Sequence, residues 1–387
     1  MQLTEVEGKK LSHDFLLMPF RIYKKDPNYI RPLDKDVENV FDPAKNRAFR
    51  FGTCKRWLLE NDDGEYIGRI AAFVNAKYKN KGDEQKTGGI GFFECINDQS
   101  AADMLFDVSK SWLAEKGMEA MDGPVNFGER DRFWGLVIEG FMPPIYLMNY
   151  NPPYYQKLFE DYGFKIFFNQ MCFAMSVDTV LSEKFSAMHE KFKKQPEFSA
   201  RYIRKSEMRK FAHDFVTVYN AAWAKHEGNK NMTEESAMKM FGAMKPVIDE
   251  RLVWFAYHNG EPVACWLNLP ELNQIFKHFN GRLRLIEKLR FILMQRRGVI
   301  KKFTGIVFGV VPEFQGTGVD YFMIKEAANL IQYHTEYKEF EMQWQGDFNP
   351  KMLNISQNLG AHLSRKLATY RFLFDRTKEF KRHPILG

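Results

Sequence analysis

The residues whose types and spacing most plainly offer chemistry lie at 306–320, Ile-Val-Phe-Gly-Val-Val-Pro-Glu-Phe-Gln-Gly-Thr-Gly-Val-Asp. An apolar run ends in a tight turn built on Gly316 and Gly318. Apolar residues at Val319, Phe322, Met323, Ala327 and Leu330 then repeat with helical period. A strand, a glycine turn and a helix start aim several unpaired backbone N–H groups at one point, where the helix dipole is positive. That point suits an anion, most naturally a phosphate or pyrophosphate. Taken alone, the turn is equally consistent with glycines that only supply positive φ. Its surroundings must decide.

The elements that would position this turn occur twice along the chain. In the first half, alternating runs at 56–60 and 66–74 flank an Asn-Asp-Asp-Gly turn and read as a hairpin. A strand at 89–96, a helix at 100–116 capped by Asp98 or Ser100 and ended by Gly117, and a strand at 118–125 follow. A proline-started helix at 151–163 and closing strands at 164–177 complete it. The second half repeats the order. It has a hairpin about Asn259-Gly260, the strand, turn and helix described above, a strand at 340–344, an Asn349-Pro350 helix ending near Gly360, and closing strands at 363–374. An internal duplication is the economical reading. The opening segment, 15–42, carries Pro19, Pro27 and Pro32 and reads as irregular with short elements, while 179–200 has no strong pattern and reads as a connection. The expected domains are therefore 1–178 and 201–387.

With 387 residues, 45% of them hydrophobic and 36 of them Phe, the chain is long and apolar enough for sizeable cores and is not of the disordered class. Cys54, Cys95, Cys172 and Cys265 lie far apart without CxxC spacing, which suggests reduced thiols in a cytoplasmic protein. The nine histidines form no metal-binding pair, so no metal is expected. The segment 277–302 has no counterpart in the first half. It holds nine Lys/Arg against Glu287, a net +8 beside +7 for the whole chain. Leu285, Ile286, Leu289, Ile292 and Leu293 fall on one helical stripe, as docking on the domain requires, while Leu283, Phe291 and Met294 project among the basic residues. Such a helix suits an anionic membrane surface or an amphiphilic ligand as well as a place on its own domain. Nucleic acid is not expected, because the charge is confined to this helix and no nucleic-acid motif accompanies it.

The turn resembles the acyl-CoA pyrophosphate loop of the GNAT superfamily of N-acetyltransferases, [RQ]-x-x-G-x-[GA]. Gln315 and Gly318 match, and Asp320 departs from the final Gly or Ala. The resemblance implies an α/β (α+β) protein of two tandem GNAT-like domains, each a mixed, largely antiparallel sheet flanked by helices. The first would be degenerate, because 94–100 lacks Gly-x-Gly. The second would carry the loop and a basic amphipathic insertion at 271–302. Gly91-Phe-Phe-Glu94, Gly123-Pro124, Asn151-Pro-Pro-Tyr-Tyr155, Ala222-Trp223, Leu269-Pro-Glu-Leu-Asn273 and Asn280-Gly-Arg282 are also similar, in order, to bacterial tandem-GNAT proteins that include ceramide synthase-type N-acyltransferases.

The resemblance implies an N-acyltransferase that moves an acyl group from CoA to a primary amine, with a long chain and a sphingoid base as the finer expectation. The alternatives are a small-amine or peptide acetyltransferase, an aminoacyl or peptide transferase, and a non-catalytic acyl-CoA or membrane-surface module. Val310, Val311, Gln315, Gly316, Thr317, Gly318, Val319, Asp320 and Asn349 would bind acyl-CoA. Attack by an amine on a thioester requires a proton acceptor, and Glu341 and then His362 are the candidates. Tyr154 or Tyr155 would return a proton to the thiolate, and Trp223 and His226 would line the acceptor pocket. The partners implied are acyl-CoA and an amine, with contact to the cytoplasmic membrane face through 277–302.

Overall fold

The computed structural model describes residues 1–223 and 231–386, the side chain of Trp223 excepted. The first half runs β1 (Gln2–Glu5), α1 (Gly8–Leu17), α2 (Pro19–Tyr23), α3 (Asp34–Phe41), β2 (Gly52–Glu60), β3 (Tyr66–Asn75), β4 (Thr87–Cys95), α4 (Gln99–Glu115), β5 (Ala120–Gly123), β6 (Leu136–Glu139), α5 (Tyr155–Tyr162) and β7 (Lys165–Ser176). The second runs α6 (Glu183–Lys193), β8 (Phe198–Tyr202), α7 (Met208–Trp223), α8 (Glu234–Met244), β9 (Val253–His258), β10 (Glu261–Pro270), α9 (Asn273–Phe276), α10 (Leu285–Arg296), β11 (Lys302–Val310), α11 (Val319–His334), β12 (Glu339–Met342), β13 (Gln345–Gly346), α12 (Pro350–Asn358) and β14 (His362–Leu373). Both hairpins are set by their turns. Asn259 and Gly260 take φ of 50° and 84°, the mirror-image turn that matches strand twist. Asn61 ties the first turn by accepting from the N–H groups of Asp63 and Glu65.

The strands form one sheet in the order β1-β2-β3-β4-β5-β14-β7-β12-β11-β10-β9-β8. The repeat is visible in its register. β4 lies parallel to β5 over Thr87–Gly89 and Ala120–Asp122, and β11 lies parallel to β12 over Lys302–Gly305 and Glu339–Met342. Each inner strand is bulged against its hairpin partner, near Arg69/Ala71 in the first half and Leu267/Asn268 in the second.

The closing strands do not close their own halves. β7 ends the first half but pairs with β12 of the second, and β14 ends the second but pairs with β5 of the first. The two strands also pair with each other over most of their length. Both are twelve residues long with buried residues along them, so each needs a partner on both edges, and the exchange supplies one. β14 carries two buried arginines that fasten the exchange. Arg371 meets Asp122 of β5 at 2.6 Å, and Arg365 meets Glu341 of β12 at 2.7 Å. Removing one partner of such a pair leaves an uncompensated buried charge, a cost of about 3–5 kcal/mol.

Two segments are more ordered than their sequence suggests. Half of the 179–200 connection is α6, whose Phe185, His189 and Phe192 recur at helical spacing and are buried. His189 Nε2 lies 2.8 Å from Glu326 of α11, so α6 belongs to the second half's core. The irregular opening segment is largely the helices α1, α2 and α3.

Candidate active site

Pairing between β11 and β12 stops at Gly305/Met342, where the Gln343 N–H still donates to the Gly305 carbonyl at 3.1 Å. Beyond this point β11 pairs only with β10, so among the described residues no strand covers its other edge over 306–310. The open edge faces a groove of about 920 Å³, lined by Val310, Gln315, Gly316, Asp320, Asn349 and apolar residues of β11 and α12. Ile306 on this inner strand is 36% exposed, because the groove lies beside it.

The turn at the head of the groove has the geometry expected of it. Gly316 and Gly318 take φ of 77° and 94°, a region closed to most side chains. A Cβ on Gly318 would lie 2.6 Å from the Met188 sulfur, while one on Gly316 would meet nothing within 4 Å because it points into open space. Gln315 Nε2 donates to the Val310 carbonyl at 3.1 Å and Thr317 Oγ1 to that of Phe314 at 2.7 Å, fixing the turn from within. α11 starts at Gly318 without a side-chain cap. Its first N–H groups are held within the turn: that of Val319 donates to Thr317 Oγ1 at a long 3.4 Å, and those of Asp320 and Tyr321 are drawn by the Asp320 carboxylate. Burial pushes that carboxyl up, and the N–H groups of Tyr321 and Asp320 itself partly offset this.

Of the expected cofactor-binding residues, Val310, Gln315, Gly316, Asp320 and Asn349 line the groove, and Val311, Thr317, Gly318 and Val319 form the turn behind it. Asn349 caps α12 by accepting from the Met352 N–H. The first half shows the contrast. The Asp98 carboxylate accepts from the Ala101 N–H at 2.8 Å, so α4 has an internal anion at the corresponding end. The parting of β4 from β5 is also filled. Tyr23 and Tyr29 stack at 3.9 Å, and Tyr23 donates to Glu94 at 2.8 Å, leaving about 60 Å³.

The groove continues inward. A cavity of about 310 Å³ shares Ile306, Val307, Phe308, Met352 and Ile355 with it, and a smaller one of about 40 Å³ shares Trp266, Ile324, Phe340 and Leu359 with that cavity. The series runs beneath α11 and α12 and is mainly apolar. At the middle cavity the first half contributes Arg130 and Asp131. Asp131 is the only carboxylate lining it among the described residues. These two residues were missed from sequence. Their only signal is the charged run Glu129-Arg-Asp-Arg132 between buried apolar segments.

The expected catalytic residues lie elsewhere. Glu341 is fully buried on β12, with Arg365 at 2.7 Å and Lys302 at 2.5 Å. Burial would raise its carboxyl, but Arg365 and then Lys302 hold it below the ordinary range, so the expected proton acceptor is committed to a buried ion pair. Tyr155 is 1% exposed in the first half. Its hydroxyl donates to Glu94 at 2.9 Å and accepts from the Cys95 N–H at 2.8 Å, so it is already committed. Burial first, and then the Glu94 charge, push its phenol well up. Tyr154 donates to the Cys95 carbonyl at 2.8 Å. His362 is exposed at the start of β14, opposite Ala174, and lines none of these cavities. His226 and the Trp223 side chain lie outside the described residues.

The basic helix α10 reverses its expected orientation. Leu285, Ile286, Leu289, Ile292 and Leu293, the stripe expected to dock, are 46–72% exposed. Phe291 is buried instead, 5.5 Å from Phe276, with Leu283 and Met294 packed against the same core. A stripe can be amphipathic without facing its own domain. Among the described residues no helix is long and apolar enough to cross a membrane.

The fold is a tandem GNAT fold, with the glycine turn in the second copy only. No protein-family model matches the chain. It is similar to the bacterial ceramide synthase of Caulobacter vibrioides (strain NA1000 / CB15N), 25% identical over 354 residues, with 89% of this chain and 90% of that protein covered. It is also similar to protein YghO of Escherichia coli (strain K12), 22% identical over 361 residues, covering 92% and 91%. A tandem GNAT protein from the clavulanic acid biosynthesis pathway, solved without AcCoA, superposes with a TM-score of 0.54 at 9% identity, covering 97% and 99%.

Proposed function

We propose that the protein is an acyl-CoA-dependent N-acyltransferase that moves a long acyl chain to an amphiphilic primary amine of the sphingoid-base type at an anionic membrane surface. One observation carries the reading: a glycine turn suited to pyrophosphate heads a groove that continues into apolar cavities in series. A two-carbon acyl group has no need of such a continuation. The similarity to a protein named a ceramide synthase supports the same chemistry.

In this reading the pyrophosphate rests on the first N–H groups of α11, and the thioester reaches the open edge of β11. The neutral amine attacks the carbonyl carbon, so a C–N bond forms while the C–S bond breaks. Backbone N–H groups on that edge stabilise the oxyanion. An alkylammonium titrates near 10.4, so a base must accept a proton. Asp131, whose half-exposed carboxylate has only a loose pairing with Arg132 at 3.5 Å, takes the role expected of Glu341 directly or through water, and the CoA thiolate is protonated as it leaves. Holding both reactants in one cleft contributes most of the acceleration.

The exposed stripe of α10 and its flanking Lys and Arg residues would lie in the lipid interface, where each cation near an anionic surface adds about 1 kcal/mol. Free-thiol release with palmitoyl-CoA, acetyl-CoA and sphinganine tests the reading. Turnover is expected with palmitoyl-CoA, and turnover with acetyl-CoA alone would sink the lipid assignment. Substituting Leu285→Ser, Ile286→Ser and Leu289→Ser together should abolish co-sedimentation with phosphatidylglycerol vesicles and leave CoA binding intact. Undiminished sedimentation would remove the membrane contact.

A further inference from the structure

A second cavity, of about 960 Å³, opens between the segment after α3, the end of β3, the 125–132 loop and Lys239 of α8. Lys45, Arg47, Arg50, Lys77, Arg130, Arg132 and Lys239 line it, against Asp36 and Glu129: seven cations to two carboxylates. Both carboxylates are already engaged. Asp36 accepts from the Tyr146 hydroxyl at 2.8 Å, and Glu129 pairs with Arg132 at 2.9 Å. Among the described residues no carboxylate pairs with Lys45, Arg47, Arg50 or Lys239. So many cations converging on one concavity repel one another, and an anion bound there relieves the repulsion.

Arg130 is fixed in place. It donates to the Lys79 carbonyl at 2.9 Å and to Asn80 Oδ1 at 3.0 Å, with its guanidinium over the rings of Tyr78 and Trp134. It also lines the apolar cavity beside Asp131, so the two cavities meet there. Asn126, 6% exposed, lines the basic cavity, and its Oδ1 has no hydrogen-bond partner. The basic cavity therefore offers cations and an unpartnered amide oxygen, and Asp131, 3.5 Å from Arg132, stands on the apolar side of the junction. No wall of the basic cavity comes from the glycine turn, so the site is separate from the one suited to CoA pyrophosphate.

We propose that this cavity holds the phosphate monoester of an acceptor that carries its amine close by, so that the preferred acceptor is an amino-alcohol phosphate rather than an uncharged amine. A phosphate monoester bears about −1.5 to −2 charges at neutral pH and presents oxygens to several guanidinium forks at once. The acylation step rests on the transferase reading above, whereas the binding does not.

The test uses the full chain and two measurements. Isothermal titration with O-phosphoethanolamine, ethanolamine and inorganic phosphate, at saturating CoA, reads binding alone. O-phosphoethanolamine should bind at least tenfold tighter than either of the others. Replacing Lys45→Ala, Arg47→Ala and Arg50→Ala together, all exposed, should weaken it at least tenfold and leave CoA affinity unchanged. Loss of binding when CoA is present, equal affinity for inorganic phosphate, or an unaffected triple variant would each overturn the proposal. Thiol release from palmitoyl-CoA with sphinganine or its 1-phosphate then reads the acceptor. At least tenfold higher kcat/KM is expected for the phosphate, with the preference lost in the triple variant. Preference for the uncharged base would overturn the assignment. Release with neither amine, with O-phosphoethanolamine still bound, would instead sink the transferase reading and leave the binding site standing.

Discussion

Replacing Gly316 with alanine separates a conformational role of the turn from an anion-binding one. Its φ of 77° is left-handed, a region that costs an L-residue about 1–2 kcal/mol. Spread over the unfolding entropy of a chain this long, that lowers Tm by only about 1–2 °C. No atom lies within 4 Å of the added methyl, so the fold survives. The methyl would project into the groove that Gly316 lines, however, where the anion would lie. Losing one charge-assisted backbone hydrogen bond to a pyrophosphate costs about 1.5–3 kcal/mol, or roughly 10–100-fold in CoA affinity. Gly260→Ala is the matched control. It has φ of 84° and nothing within 4 Å, but it sits in the β9–β10 turn away from the groove. Calorimetric titration with CoA, alongside thermal unfolding, should show similar small losses of stability in both variants and weakened CoA binding in Gly316→Ala alone. Equal CoA affinity in the two would refute the anion-binding role.

Three further outcomes are expected, two of them at the site. Asp320→Ala removes a carboxylate from the head of the groove and frees the N–H groups that hold it, so CoA should bind several-fold tighter in the same titration. Asp131→Asn should lower kcat for acyl transfer by about 10²–10⁴-fold, the usual worth of a general base, with little change in CoA affinity by single-turnover and binding assays. Glu271 is buried, and burial pushes its carboxyl up to about 7, only partly offset by the N–H groups of Asn273 and Tyr146. A raised carboxyl binds its proton more tightly in the folded state, so its contribution is fully present below about pH 4.5 and is lost as pH rises through 7. Glu271→Gln should abolish that slope and exceed the wild type in urea unfolding at pH 8 by roughly 3 kcal/mol, with the two alike near pH 4.5. A wild-type profile as flat as the variant's would show that Glu271 is not held this way.

The sequence by itself determined the local elements and their repetition, because hairpin turns, caps and helix stops are set by a few neighbouring residues. Asn259-Gly260, Asp98, and Gly316 with Gly318 act in the structure as their types predict. It also placed the glycine turn in one copy only, since that turn needs two left-handed positions that 94–100 does not supply. Several segments carrying the family resemblance join the halves. Glu271 accepts from the Tyr146 N–H at 2.9 Å, Asn273 donates to the Pro144 carbonyl at 2.9 Å, and Gly281 accepts from the Asp34 N–H at 2.8 Å.

Only the tertiary structure decided what depends on distant parts of the chain. The exchange of β7 and β14 is a choice of strand partner across the repeat, and an alternating pattern does not say which edge it will meet. The same exchange brings Arg365 to Glu341 and so turns an expected base into a buried ion pair. The orientation of α10 was decided by Phe291 docking on Phe276, because amphipathicity defines two faces without saying which one the protein covers. Asp131 and Arg130 reach the apolar cavity from the other half of the chain, and spacing along a sequence does not encode such a meeting.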